Sequence, residues 1–300
     1  MTAAASGLPL DTLAVVLRAP EDLALTRVGL TAPGDEDVVV DVEWSGVSTG
    51  TERLLWAGKM PPFPGLGYPL VPGYESVGRV SVPGAKSGRA AGERVFVPGS
   101  RAVPISERLA ERGVLLALAA TACHAITSEG ARPPDLIVGH GVLGRLLARL
   151  TLVGGHAPPT VWETNPARAA GAIGYPVVQP EDDPRANYRS IYDVSGDAAL
   201  LDALIARLAP GGEIVLAGFY SERLAFAFPP AFMREARIRI AAEWRQPDLD
   251  AVKVLAESGR LSLDGLITHR QSAAAAPDAY RTAFGDPACL KMVLDWRACA

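Results

Sequence analysis

The chain has 300 residues, 49% hydrophobic and 21% charged, and its 29 basic and 33 acidic side chains leave a net charge of −4. That length corresponds to about two domains at ~100–200 residues each, and that hydrophobicity excludes a disordered chain. The slight acidic excess speaks against a nucleic-acid binder, which carries a dominant basic face.

Taken in chain order, Leu13–Leu17, Val38–Trp44, Val77–Val82 and Arg94–Val97 read as short strands. Turn formers crowd the segment from Gly58 through Pro61, Pro62, Pro64, Gly65, Gly67, Pro69, Pro72 and Gly73. Short strands punctuated in this way predict a barrel-like β domain. From about Arg132 the rhythm changes. Leu136–Val138, Thr160–Glu163, Ile191–Val194 and Glu213–Phe219 read as strands, with helices over Val142–Val153 and Ala198–Leu208. Residues 236–242 add a strand, 247–259 a helix, and Cys289–Trp296 a closing strand. Strands alternating with helices predict βαβ units on a parallel sheet, hence an α/β class for this part. The expected division is residues 1–126, with 271–300 returning to them, and residues 127–270.

Cys123, Cys289 and Cys299 form no C-x-x-C pair and no disulfide framework, which fits a reducing, cytoplasmic setting. Met1–Leu10 lacks the basic start and apolar run of a secretory leader. The longest apolar stretch, Val114–Ile126, is too short to span a bilayer.

Leu136-Ile-Val-Gly139-His140-Gly141-Val142-Leu143-Gly144 is G-x-G-x-x-G between a strand and a helix. Gly139 suits a tight turn, Gly141 a close approach of backbone to a pyrophosphate, and Gly144 close packing of helix on strand. The diphosphate would rest on the positive end of that helix, with His140 beside it. Glu163 ends the next strand about twenty residues on, where a carboxylate binds ribose hydroxyls and repels a 2′-phosphate. NAD is therefore expected rather than NADP, with Arg168 as a counter-signal.

With these motifs, the chain resembles the medium-chain dehydrogenase/reductase superfamily. Gly46-Val-Ser-Thr-Gly-Thr-Glu52 stands where that family has G-I-C-G-T-D, and Pro72-Gly-Tyr74-Glu75-Ser-Val-Gly78 where it has P-G-H-E-x-x-G. The resemblance implies a GroES-like β-rich domain followed by a Rossmann domain. It also implies that the catalytic-zinc positions are Ser48 or Thr49, Tyr74 and a residue near Ala117. None of these is the usual ligand, and the four-cysteine lobe is absent, so an enzyme without zinc is expected.

Three strings resemble the branch that oxidises a hydroxyethyl group on tetrapyrroles: Val42–Trp56, Pro62–Glu75 and Phe226–Glu235. This implies conversion of the 3-(1-hydroxyethyl) group of a chlorophyllide or bacteriochlorophyllide to 3-acetyl with NAD, in bacteriochlorophyll biosynthesis. The place would be cytoplasmic, peripheral to photosynthetic membranes. The branch also carries a segment of some tens of residues between Gly99 and Val103 that this chain lacks, so a mobile segment outside this numbering is expected there. A homodimer through Rossmann edge strands near Gly265–His269 is expected by the same analogy.

Without zinc a side chain must take the alcohol proton. The resemblance points to Tyr74 as a base whose phenol needs a neighbouring cation or the oxidised nicotinamide, to Glu75 as orienting acid, and to Thr51 and Ser48 as a proton relay. His124 has a titration range suited to base chemistry. Thr121 and Gly218 are expected near the cofactor. Trp56, Met60, Phe63 and Tyr68, with Phe219 and Tyr220, are expected to wall the macrocycle pocket, and Arg53 and Lys59 to meet its carboxylate. Two alternatives stay open: a zinc-free NAD(P)H quinone or enone reductase, and a non-catalytic tetrapyrrole carrier.

Overall fold

The computed structural model describes residues 10–299. The expectation about a leader therefore falls almost entirely outside the described residues. The described chain forms two compact units: residues 10–114, 269–284 and 292–299, and residues 115–268 with 285–291.

The first unit opens with an antiparallel hairpin of β1 (Asp11–Ala19) and β2 (Asp22–Gly29), turned at Pro20-Glu21 with Glu21 at φ 61°. Strand β3 (Val38–Val47) leads into helix α1 (Thr51–Trp56), an element not expected from the sequence. The helix holds because Glu52 and Leu55, three residues apart, share its buried face. Strands β4 (Ser76–Pro83), β5 (Arg94–Val97) and β6 (Val103–Pro104) follow. The segment expected between Gly99 and Val103 lies outside the numbered chain, and within that chain the junction is short. Val95 pairs with Pro104 and Phe96 with Val103, so residues 98–102 close a hairpin directly, with Gly99 at φ 64°.

The second unit holds α2 (Leu116–Thr127), β7 (Leu136–Val138), α3 (Val142–Val153), β8 (Thr160–Trp162), α4 (Pro166–Ala169) and β9 (Val177–Val178). It continues through β10 (Tyr188–Asp193), α5 (Leu201–Arg207), β11 (Leu208–Leu216), α6 (Phe228–Met233), β12 (Arg237–Ile240) and α7 (Gln246–Glu257). Its strands are all parallel in the order β12-β11-β10-β7-β8-β9, the doubly wound arrangement whose direction reverses between β7 and β10. Leu136, Ile191 and Ile214 from neighbouring strands and Leu204 and Ile205 from α5 are fully buried in one core. Such strands are covered on both faces, which is why they read as unbroken apolar runs.

The chain then returns to the first unit through β13 (His269–Ser272), α8 (Ala276–Gly285) and β14 (Met292–Asp295). The sheet there runs β13-β14-β3-β4-β5-β6. Two expectations change. Helix α2 belongs to the second unit, because it packs on α3 and α7. Gly265–His269 is not a Rossmann edge strand, since His269 opens β13 in the other sheet, and the edges of the Rossmann sheet are β12 and β9.

Gly78 in β4 fixes how closely β3 and β4 approach: a Cβ there would lie 2.2 Å from the Asp41 carbonyl oxygen. We expect Gly78→Ala to lose roughly 1–3 kcal/mol or more of stability through this overpacking. Calorimetry should show a clear drop in melting temperature, whereas Gly29→Ala, with open space around it, should leave it unchanged.

Candidate active site

In the first unit the chain leaves β3, turns through Ser48 and enters α1. The Ser48 N–H donates to Glu52 Oε1 at 3.0 Å, and the Tyr280 hydroxyl on α8 donates to Glu52 Oε2 at 2.9 Å. Thr51 Oγ1 donates to Ser48 Oγ at 3.2 Å and lies 3.2 Å from the Tyr74 hydroxyl. A threonine hydroxyl has one proton, so Tyr74 is the donor to Thr51. The three hydroxyls form one chain running Tyr74 to Thr51 to Ser48.

The groups of this unit that surround Tyr74 favour its protonated form. Burial raises its phenol pKa, the neighbouring Glu75 carboxylate raises it further, and Glu52 adds to this; the bonds to Thr51 and Ser48 pull the other way. The charges beside it in this unit are carboxylates, Glu75 being 1% and Glu52 2% exposed. Tyr74 thus keeps its proton at neutral pH and is a donor, not a resting phenolate. Burial and Glu52 hold Tyr280 protonated in the same way.

The donor set does not fit a catalytic zinc. Hydroxyls and an alanine occupy the ligand positions implied by the resemblance, and Glu52 already accepts two hydrogen bonds. Among the described residues no three His, Cys, Asp or Glu side chains lie together in a way that could hold a metal ion.

Of the residues expected to wall a pocket, Met60 and Tyr68 meet, with Leu55 and Leu66, around a cavity of about 90 Å³. That is well below ligand pockets of ~300–1,000 Å³, and it does not enclose a macrocycle. The Tyr68 hydroxyl is taken by the Leu55 carbonyl. Phe63 is 49% exposed, and Arg53 and Lys59 are exposed as well. Trp56 is scaffold instead: its ring packs 6.1 Å from Tyr280 and 5.9 Å from Phe284.

In the second unit the glycine loop joins β7 to α3. Gly139 has φ 105°, and a Cβ on Gly144 would lie 1.9 Å from the Gly139 oxygen, whereas one on Gly141 would meet nothing within 4 Å. Helix and strand therefore touch, while the loop stays open at Gly141 and the first-turn residues Val142 and Leu143. This cradle fits a dinucleotide diphosphate. Glu163 braces it, with Oε2 accepting the His140 N–H at 3.0 Å and Oε1 the Asn165 N–H at 2.8 Å. Arg168 is committed elsewhere: its Nε donates to the Pro287 carbonyl at 2.8 Å and its Nη2 to Cys289 at 3.3 Å. Those bonds also explain why residues 285–291 go with this unit.

Several candidate side chains here have other work. The His140 ring is fully buried rather than beside a diphosphate. Its Nδ1 lies 2.7 Å from the Arg168 carbonyl, which can only accept, so Nδ1 carries the proton and Nε2 receives the Tyr175 hydroxyl at 2.9 Å. Thr121 turns its hydroxyl back to the Ala117 carbonyl at 3.0 Å. His124 Nδ1 pairs with Asp248 Oδ2 at 2.9 Å, tying α2 to α7, and the same carboxylate oxygen caps α7 by accepting the Arg245 N–H. The imidazole is thus paired with a carboxylate and ties two helices together. Phe219 is 39% exposed, but the Tyr220 hydroxyl is held by Asp193 at 2.9 Å. Gly218 packs on the Gly196 backbone. Glu52, Tyr280, Asp193 and Asp248 were missed. Glu52 stood in the quoted G-V-S-T-G-T-E string, and Asp193 ends a strand before Val-Ser-Gly.

Burial lowers the His140 pKa to about 4, and the charges of Arg145 and Arg149 add to this while the Arg168 carbonyl and Glu163 oppose it. Above pH ~6.5 the ring is neutral folded or unfolded. Below that, the unfolded chain takes a proton that the folded one refuses, so stability falls as pH drops from ~6.5 to 4, by up to roughly 3 kcal/mol. Denaturant melts across this range should show the loss, and His140→Gln should flatten it.

Residues 34–111 match the alcohol dehydrogenase GroES-like domain family. The chain is 53% identical to the 2-desacetyl-2-hydroxyethyl bacteriochlorophyllide A dehydrogenase of Rhodobacter capsulatus, over 96% of this chain and 99% of that one. It is 54% identical to the protein of the same name in Cereibacter sphaeroides, with the same coverage. Among solved structures, an Escherichia coli CFT073 alcohol dehydrogenase complexed with NADH shares the fold with a TM-score of 0.80, at 18% identity over 95% of this chain and 99% of that one. The chain therefore belongs to the 2-desacetyl-2-hydroxyethyl bacteriochlorophyllide A dehydrogenases, a family of the medium-chain dehydrogenase/reductase superfamily.

Proposed function

We propose that this protein oxidises the hydroxyethyl group of a chlorophyllide or bacteriochlorophyllide to acetyl, using NAD and no catalytic zinc. The observation that carries the proton part is the Tyr74–Thr51–Ser48 hydroxyl chain standing where metal ligands would. The relatives, both named as dehydrogenases, support this reading over the reductase and carrier alternatives.

The carbinol C–H leaves with its electron pair, the O–H proton departs, and the C=O bond forms. When bound, the nicotinamide ring accepts the hydride. The protein handles the proton. A proton arriving on the Tyr74 oxygen displaces that of Tyr74 to Thr51 and that of Thr51 to Ser48, along the direction the hydrogen bonds already point, and the Ser48 hydroxyl releases its own proton to water. No hydroxyl has to rotate or stay ionised, so a phenol with a raised pKa serves as a relay member. Glu52 holds the Ser48 end in place. NAD is favoured over NADP because Glu163 lies against the glycine loop and Arg168 is tied to carbonyls. No helix among the described residues is long and apolar enough to cross a membrane. We place the protein in the cytoplasm, at the membrane surface where so apolar a substrate would collect.

A second copy is the partner we propose for the Rossmann sheet edge. Strand β12 carries Ile240 at 67% exposure, and α6 beside it in sequence carries Phe232 at 65% and Met233 at 76%. Open strand edges with exposed apolar side chains invite pairing. Sedimentation should find a dimer, and Phe232→Glu with Ile240→Glu should give a monomer.

Turnover of the hydroxyethyl pigment with NAD tests the main reading. Tyr74→Phe and Thr51→Val should each lower kcat by on the order of 10²-fold or more, with the KM for NAD nearly unchanged. Thr51→Ser should retain most of the rate. A chelator should leave turnover intact, and kcat/KM should favour NAD over NADP by at least about tenfold, or ~1.4 kcal/mol. Loss of activity with loss of bound zinc would refute the reading.

A further inference from the structure

Asp193 ends β10, the strand beside β7 at the point where the sheet order reverses, and is 2% exposed. Its carbonyl oxygen accepts the N–H groups of Ala217 and Gly218, each at 3.0 Å. Its Oδ1 accepts the Ser195 N–H at 2.9 Å and the Ser195 hydroxyl at 2.6 Å, and its Oδ2 accepts the Tyr220 hydroxyl at 2.9 Å. One residue thus gathers the turn after β10 and the segment after β11.

That turn lies against the glycine loop with nothing between them. A Cβ built on Gly139 would lie 3.4 Å from Ser195 N and Cα, and one on Gly218 would lie 3.2 Å from Gly196 N. In doubly wound sheets the ligand crevice opens at these carboxyl ends. The spacing of three backbone segments at that crevice therefore depends on the straps that converge on Asp193.

We infer that Asp193 is a positioning residue for the nicotinamide dinucleotide, holding the Val194–Gly196 turn and the 217–220 segment at the height that the crevice requires. Asp193 touches no reacting atom in this account and acts through the two backbone segments. The inference rests on a nicotinamide dinucleotide being the cofactor and is independent of the pigment. Burial also raises the Asp193 carboxyl pKa, with Asp197 adding to this and the Ser195 and Tyr220 bonds opposing it.

The test is NADH binding to the full chain without pigment, followed by nucleotide fluorescence, together with amide hydrogen exchange of the nucleotide-free protein. Asp193→Ala removes the three side-chain bonds to Ser195 and Tyr220, should weaken NADH binding at least about tenfold, and should make the Ser195 amide exchange faster, while Ala217 and Gly218 keep their bonds to the backbone oxygen. Ser195→Ala and Tyr220→Phe remove one strap each and should weaken binding by roughly two- to fivefold. They carry the test if Asp193→Ala does not fold. Asp193→Asn keeps an oxygen for both Ser195 donors, and its Nδ2 can donate to Tyr220, so it should bind within about threefold of wild type. Variants with a lower melting temperature but wild-type NADH affinity would overturn the inference, because the role would then be structural only. So would Asp193→Asn failing as badly as Asp193→Ala. A wild-type protein that binds no NADH would overturn the cofactor reading beneath it.

Discussion

The front unit is organised by a buried carboxylate. Glu52 is almost wholly removed from water, and an unpaired carboxylate there would be prohibitively costly. Its bonds to the Ser48 N–H and the Tyr280 hydroxyl are therefore obligations of the fold. They fix the turn that enters α1, place α8 against that turn, and set Ser48 where Thr51 can donate to it. In a zinc enzyme the metal's charge would order this region. Here a negative charge with two donors orders a line of neutral hydroxyls. Burial, with Glu75 beside Tyr74 and Glu52 beside Tyr280, keeps both phenols protonated, so the arrangement favours proton relay over a standing base.

The dinucleotide unit relies on backbone contact instead. Gly144 lies so close to the Gly139 oxygen that no side chain fits. Around this contact, charged side chains are spent on carbonyls and amides. Arg145 donates to the carbonyls of His140, Arg168 and Ala170, Glu163 accepts from two backbone N–H groups, and Arg168 reaches the chain at Pro287 and Cys289. The cradle is thus built before a ligand arrives, and a preorganised site loses less freedom on binding. Burial of Arg145 and Arg149 among such partners lowers both their pKa values.

The two units differed in how readily their chemistry could be read from residue types. Around the glycine loop, function follows from which positions lack a side chain, and that is visible in a string of letters. The histidines were less transparent. Histidine as a residue type suggests acid–base chemistry, yet the partners of His124 and His140, Asp248 and the Arg168 carbonyl, lie 124 and 28 residues away. Tyr220 looked like a pocket wall for the same reason, with Asp193 27 residues distant. Helix α1 was hidden because six residues crowded by turn formers carry little periodicity; its formation depends on burying Glu52 and Leu55.

By itself, the sequence determined the parallel α/β half, the glycine loop with its acid, the β-rich front half, and the hydroxyl side chains at Ser48, Thr51 and Tyr74. These follow from local periodicity, from glycine where no Cβ is tolerated, and from chemical identity at a position. The tertiary structure alone decided that residues 98–102 close a hairpin and that α2 packs with the second unit. It alone decided that Tyr74 donates to Thr51, and that Glu52 and Asp193 are the knots of their units. Hydrogen-bond direction, desolvation and charge proximity are properties of groups brought together from distant parts of the chain, and no linear spacing encodes them.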